Sequence, residues 1–116
     1  PAAYRSWKEG RVVSAPVDSV AEGLATGIGY ELTQAILRDL LDDFVIVSDD
    51  ELKQAIVLHL KNTHNLTAHA GAASLAGALK IKDRIEGKKV ALVASGGNIS
   101  IDHLVDALSS ATDGHR

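Results

Sequence analysis

The sequence predicts an α/β fold: a fragment of a layered parallel sheet with the element order βαβααβα. Two short apolar runs, at 44–47 and 90–94, alternate with longer stretches in which apolar residues recur at helical spacing. Continuous apolar runs are typical of parallel strands that are covered on both faces. Strands that alternate with helices favour a parallel sheet between helical layers. Because so small a sheet cannot cover every apolar helix face, we expect either self-association or a place in a larger domain.

The beginning of the chain lacks a clear period. Residues 1–29 are interpreted as an irregular lead-in, with one short strand between 12 and 20 that Pro16 interrupts. The 116 residues suit a single small domain or part of one. Within it we predict an α/β core over 30–110 and a flexible tail over 111–116.

The first two helices of the core are predicted from their apolar stripes and their ends. Residues 31–42 carry the first stripe. The second helix begins after Ser48 and extends to about residue 62, because Ser48 and Glu51 have the spacing of a capping box. Asp49 and Asp50 favour the positive end of this helix, so no metal is assigned to these acids.

Residues 68–86 are predicted to form a helix whose first half consists of small residues. Glycine inside a helix costs about 1 kcal/mol relative to alanine. Gly71 and Gly77 therefore indicate close packing on a sheet or a ligand at the helix start. Gly87 is well placed to end the helix, and a last helix is predicted over 101–109.

Composition and charge exclude several classes of function. The formal net charge is −3, whereas a domain that binds nucleic acid usually needs a basic patch. No apolar run reaches the roughly 18 residues of a membrane span. Neither nucleic acid nor a membrane is therefore an expected partner. The absence of cysteine excludes disulfides and thiolate metal sites, and it fits a cytoplasmic protein.

The histidines do not predict a metal site. His59, His64 and His69 are spaced by five residues, which distributes them around a helix axis. No pair has the His-x₃-His spacing that supports zinc. These three, with His103 and His115, are interpreted as ordinary surface or core residues.

The most informative stretch is Ser95-Gly96-Gly97-Asn98, called the 95–98 turn below. It follows the apolar run 90–94 and precedes a helix. A helix start offers unpaired N–H groups and partial positive charge, and two glycines permit positive φ and close approach of a ligand. The pattern predicts a ligand-facing turn. It leaves open an ordinary glycine turn in which Ser95 only caps the last helix.

Five segments resemble, in order, the C-terminal part of the threonine/serine dehydratase family that depends on pyridoxal 5'-phosphate (PLP). They are Ala-Glu-Gly-Leu-Ala at 21–25, Glu-Leu-Thr at 31–33, the stretch 43–51, the small residues 70–76 and the segment 95–99. The resemblance covers about residues 3–108. It implies fold type II, the architecture of the tryptophan synthase β subunit, with this chain inside the large domain. Family members eliminate water from serine or threonine, giving ammonia and a 2-oxo acid, and serine racemases are similar in sequence.

The resemblance implies a cofactor-binding role for the 95–98 turn. In the family, the serine that matches Ser95 donates a hydrogen bond to the pyridine nitrogen of PLP, and Gly96, Gly97 and Asn98 shape the turn beside the ring. A neutral hydroxyl does not hold the pyridine protonated, so the ring is a weaker electron sink. That suits α,β-elimination better than transamination.

The chain departs from the family pattern in two ways. The family's Schiff-base lysine lies in a Ser-Phe-Lys-x-Arg type motif further towards the N-terminus, and neither this motif nor the glycine-rich phosphate loop occurs here. The resemblance therefore implies no catalytic residue in this chain. In addition, Ala68 replaces the glutamate of the family's Glu-Gly-Ala-Gly sequence, and His69 follows it.

Together these observations predict the C-terminal segment of a PLP-dependent threonine/serine ammonia-lyase. The isolated chain is expected to be inactive and not to bind PLP alone, whereas the complete enzyme would take PLP and a hydroxy amino acid. Two alternatives stay open: a non-catalytic oligomerising α/β module, and a small phosphate- or nucleotide-binding protein that uses the 95–98 turn. We expect a homo-oligomer in the cytoplasm.

Overall fold

Two compact units make up the chain, Pro1–Ile46 and Val47–Arg116. A computed structural model describes residues 1–113. The prediction of a flexible tail over 111–116 is wrong for 111–113, which continue the last helix, and residues 114–116 lie outside the described residues. The first unit contains α1 (Ala2–Glu9), a 3-10 turn (Glu22–Leu24) and α2 (Glu31–Leu40). The second contains α3 (Asp49–Thr63), α4 (His69–Lys80), α5 (Lys82–Ile85) and α6 (Ile101–Asp113).

The first unit is organised around two buried polar side chains. The Ser6 hydroxyl, on α1, accepts a hydrogen bond from the Val13 N–H at 3.0 Å. Gln34, on α2, donates from Nε2 to the carbonyl oxygen of Ala3 at 3.1 Å. These bonds join α1, the following loop and α2. The prediction of an irregular start is wrong for residues 2–9, because α1 gains this tertiary packing. The division of the chain into the regions 1–29, 30–110 and 111–116 stays a prediction.

The second unit has its core on α3. Leu52, Ala55 and Ile56 of α3 are buried, and alanines of α4 and α6 complete the core. Small side chains let helices approach closely, which explains the small residues of the predicted third helix. The capping box at the start of α3 is confirmed: the Glu51 N–H donates to Ser48 Oγ at 3.2 Å, and the Ser48 N–H donates to Glu51 Oε2 at 2.7 Å.

The predicted strands are not formed by the described residues. Segments 44–47 and 90–94 carry no strand, and the predicted strand over 12–20 is reduced to an isolated antiparallel bridge between Ser14 and Ile28. Val90 is 48% exposed and Val93 is 73% exposed. A strand exists only beside a second strand that accepts and donates its backbone hydrogen bonds. The prediction of strands covered on both faces is therefore wrong for residues 1–113, because no neighbouring strand pairs with these segments there.

The helix predicted over 68–86 is divided in two. α4 ends at Lys80, and the single turn of α5 follows from Lys82 to Ile85. Gly87 has a φ of 74°, the left-handed conformation expected after a helix end. Across residues 1–113, no helix combines the length and the apolar character that crossing a bilayer requires.

Candidate functional site

The 95–98 turn is held against the start of α4 by backbone contacts. The Ala68 N–H donates a hydrogen bond to the Gly96 carbonyl oxygen at 2.9 Å. The α-carbon of Gly71 faces the Gly96 backbone so closely that an added Cβ would collide with the Gly96 carbonyl oxygen. A Cβ added to Gly97 would lie 2.5 Å from the Leu66 carbonyl oxygen. The loop before α4 and the first residues of α4 therefore both hold the 95–98 turn in place.

The structure requires a glycine at position 97 for a reason other than the expected positive φ, and it places no such requirement on Gly96. Among the described residues, the glycines with positive φ are Gly10 and Gly87. Gly97 instead lies where a side chain would collide with backbone. A Cβ on Gly96 would meet no atom of the described residues within 4 Å, so open space lies on that side of the turn.

The segment before the turn is attached to α4 as well. The Ser74 hydroxyl, in the middle of α4, donates to the Val93 carbonyl oxygen at 2.9 Å. Together with the bond from Ala68 to Gly96, this fixes the backbone on both sides of Ser95. The prediction that Gly71 packs on a sheet is wrong for the described residues, since Gly71 packs on the backbone of the 95–98 turn. A Cβ added to Gly77 would meet no described atom within 4 Å.

Ser100, and not Ser95, caps α6. The His103 N–H donates to Ser100 Oγ at 3.2 Å, and the Leu104 N–H donates to the Ser100 carbonyl oxygen at 3.0 Å. The alternative in which Ser95 caps this helix is therefore wrong. Ser95 lies before the helix with its side chain exposed, and Asn98 is exposed beside it.

Two histidines lie next to the contact between the 95–98 turn and the start of α4. His69, the first residue of α4, is only 4% exposed, and its ring stands edge-on to that of His103 with centroids 5.4 Å apart. Burial lowers the pKa of His69 below its usual 6.5, and the nearby His103 lowers it further. Their positions are too far apart in sequence for any local pattern to reveal the pair. In the described part of the chain, no group of three or more potential ligands could hold a metal ion.

An ion pair links α3 to α6. Lys53 Nζ lies 2.7 Å from Asp106 Oδ2. The hydrogen bond between them raises the pKa of Lys53 and lowers that of Asp106. A lysine that forms a Schiff base needs an unprotonated amine, so this environment acts against such a role for Lys53.

Comparison with known proteins places the chain among cofactor-dependent enzymes. The profile of the family described as "Pyridoxal-phosphate dependent enzyme" matches residues 1–96. The L-threonine ammonia-lyase of Geobacter sulfurreducens is 37% identical over 87% of this chain and 25% of its own length. The serine racemase of Dictyostelium discoideum is 31% identical over 91% of this chain and 34% of its own length.

A solved structure extends the similarity to the fold. The processed form of threonine deaminase isoform 2 from Solanum lycopersicum superposes with a TM-score of 0.83 and 29% identity, over 95% of this chain and 33% of that one. The chain spans about a third or less of these relatives. Their shared fold supports the predicted α/β class at the level of the family, although the described residues form no strand themselves. With the profile covering most of its length, the chain belongs to the fold type II family of pyridoxal-phosphate-dependent enzymes.

Proposed function

We propose that the chain is the C-terminal segment of a PLP-dependent threonine/serine ammonia-lyase and that its 95–98 turn holds the pyridine side of the cofactor. One observation carries the proposal: the turn is clamped at Gly96 and Gly97 while the Ser95 hydroxyl is exposed and is not used as a helix cap. Relatives named L-threonine ammonia-lyase and serine racemase support hydroxy amino acids as the substrate class.

The residues of the turn fit one edge of a flat heteroaromatic ring. An exposed serine hydroxyl can donate to a ring nitrogen, and the open space beside Gly96 lets a ring approach the backbone. The family's glycine-rich phosphate loop does not occur in this chain, so the cofactor's phosphate would be held elsewhere. When bound, PLP supplies an electron sink for the substrate's α-carbon. Ser95 would orient the ring and, being neutral, leave its nitrogen unprotonated.

We expect no lysine of this chain to bind PLP covalently. Lys53 and Lys80 are engaged in ion pairs with carboxylates, and the other lysines are exposed. Incubation with PLP, borohydride reduction and mass spectrometry test this. Scattered partial labelling is expected. A stoichiometric adduct on one lysine would contradict the proposal that the Schiff-base residue lies outside this chain. The lysines to examine are Lys8, Lys53, Lys61, Lys80, Lys82, Lys88 and Lys89.

Ser95 variants in the complete catalytic domain test the proposed site. Ser95→Ala is expected to lower turnover and cofactor retention while sparing the fold, because one neutral hydrogen bond contributes about 0.5–1.5 kcal/mol. That range corresponds to roughly a twofold to tenfold loss of activity. Ser95→Asp is expected to favour ring protonation and so to impair elimination.

The matched control is Ser100→Asp, the same substitution at the cap of α6. Aspartate caps a helix about as well as serine, so this variant should keep normal stability and turnover. Steady-state kinetics and cofactor absorbance compare the variants. Full activity of Ser95→Asp would refute the assignment of Ser95 to the cofactor.

We also propose that the chain self-associates or packs against further parts of the same fold. Val90 and Val93 lie in the segment before the 95–98 turn, and this segment pairs with no strand among the described residues. An exposed apolar segment of this kind is prone to pair with another strand. The comparisons do not support a phosphate- or nucleotide-binding protein or a non-catalytic module. Location in the cytoplasm stays a prediction.

A further inference from the structure

We propose that the contact between the His69 and His103 rings is a pH-sensitive latch that fixes the 95–98 turn while His69 is neutral and loosens it when His69 is protonated. Any role of this latch in catalysis rests on the proposed function. The latch itself is a property of the chain and is measurable without cofactor.

The pair joins the two helix starts that flank the turn. His69 opens α4 and directly follows Ala68, whose N–H holds the Gly96 carbonyl oxygen at 2.9 Å. His103 lies in the first turn of α6, where its N–H binds Ser100 Oγ. The rings meet at 89° with centroids 5.4 Å apart. A change in the contact between the rings therefore acts on the backbone at both ends of the turn.

The position of His69 favours its neutral form. His69 is the first residue of α4, where the helix dipole is positive and opposes an imidazolium. His69 is also 4% exposed, so protonation would bring a charge into a buried place. Protonation of His69 would place a charged ring against the His103 ring in this buried space.

Charged groups on the neighbouring helices do not reverse this preference. Asp49 of α3 and Asp106 of α6 raise the pKa of His69, whereas Lys53 of α3 lowers it. The Asp106 carboxylate is already bound by Lys53 at 2.7 Å, which reduces its effect on the histidine. Burial is the largest influence, and the pKa of His69 is lowered overall.

The charged residue of α4 itself is Lys80, at the opposite end of that helix, where it binds Glu51. It therefore does not face His69.

The direction of the pH effect follows from the lowered pKa. The unfolded chain takes up a proton at about 6.5, before the folded chain does. The contribution of the latch to stability is therefore complete above that pH. It is lost as the pH falls below 6.5 towards the lower value of folded His69.

Nuclear magnetic resonance of the full chain without cofactor tests the latch. In the unaltered chain, the His69 ring is expected to titrate below 6.5, and the amide signals of Ala68, Gly96 and Gly97 should shift with the same midpoint. His69→Phe keeps an aromatic ring and should abolish this shift. His103→Phe removes the second ionisable ring and should move the His69 midpoint upwards.

His64→Asn is the matched control. His64 is exposed at the end of α3 with a φ of 58°, a conformation that asparagine tolerates, so the titration of the turn should be unchanged. The latch would be overturned if the amide signals of Ala68, Gly96 and Gly97 did not change with the His69 titration. It would also be overturned if their pH-dependent shift persisted in His69→Phe. An active Ser95→Asp enzyme with a normal latch would overturn the proposed function alone.

Discussion

Gly71→Ala is expected to destabilise the second unit by about 1–3 kcal/mol, the usual cost of overpacking. Glycine to alanine inside a helix normally stabilises by about 1 kcal/mol, so the sign is opposite to the ordinary one. The reason is the Gly96 carbonyl oxygen, which occupies the place of the new methyl group. To admit the methyl group, the turn must move away from α4, and the bond from Ala68 to Gly96 is lost. Urea denaturation followed by circular dichroism measures the change.

Gly77→Ala is the matched control for this prediction. It lies on the same helix, and its added Cβ would meet no described atom within 4 Å. This variant should gain about 0.5–1 kcal/mol. If both variants gained stability alike, the close contact between Gly71 and the turn would not exist in solution.

Ile56→Ala is expected to produce the largest loss, about 2–5 kcal/mol for a buried isoleucine. Ile56 is 0% exposed on α3, which packs against both α4 and α6. A small domain is stable by only about 5–15 kcal/mol in total. Loss of this side chain should therefore lower the melting temperature strongly and expose the clamped turn to solvent exchange.

Val105→Ala provides the comparison. Val105 lies on α6 and is 54% exposed, so its truncation should change stability by no more than about 0.5 kcal/mol. Thermal melts of the two variants distinguish a core on α3 from general sensitivity to lost apolar area. Similar losses in both would contradict the described core.

Local sequence signals predicted the features that depend on neighbouring residues. The capping box of Ser48 and Glu51 involves groups three positions apart, so its spacing alone predicted the start of α3. Five short segments in order, the one at 95–99 among them, pointed to the family, which the comparisons confirm. The cap of α6 is also local, but it is formed by Ser100 and not by Ser95.

The apolar runs show where local patterns fail. Residues 44–47 and 90–94 have the composition of buried strands, yet no strand forms there in the part of the chain that the structure describes. The apolar composition of these runs indicates only that burial of their side chains is favourable. Whether a strand forms depends on a second backbone at hydrogen-bonding distance.

The sequence by itself determined the family, most helix positions and the residues of the turn, because these follow from short motifs and from helical periodicity. Tertiary structure decided how the turn is held: by the Gly71 α-carbon, the Ala68 N–H and the Leu66 carbonyl. It also brought His69 to His103. These contacts join residues that are distant in sequence, and only the packing of α3, α4 and α6 around a common core brings their atoms within reach of one another.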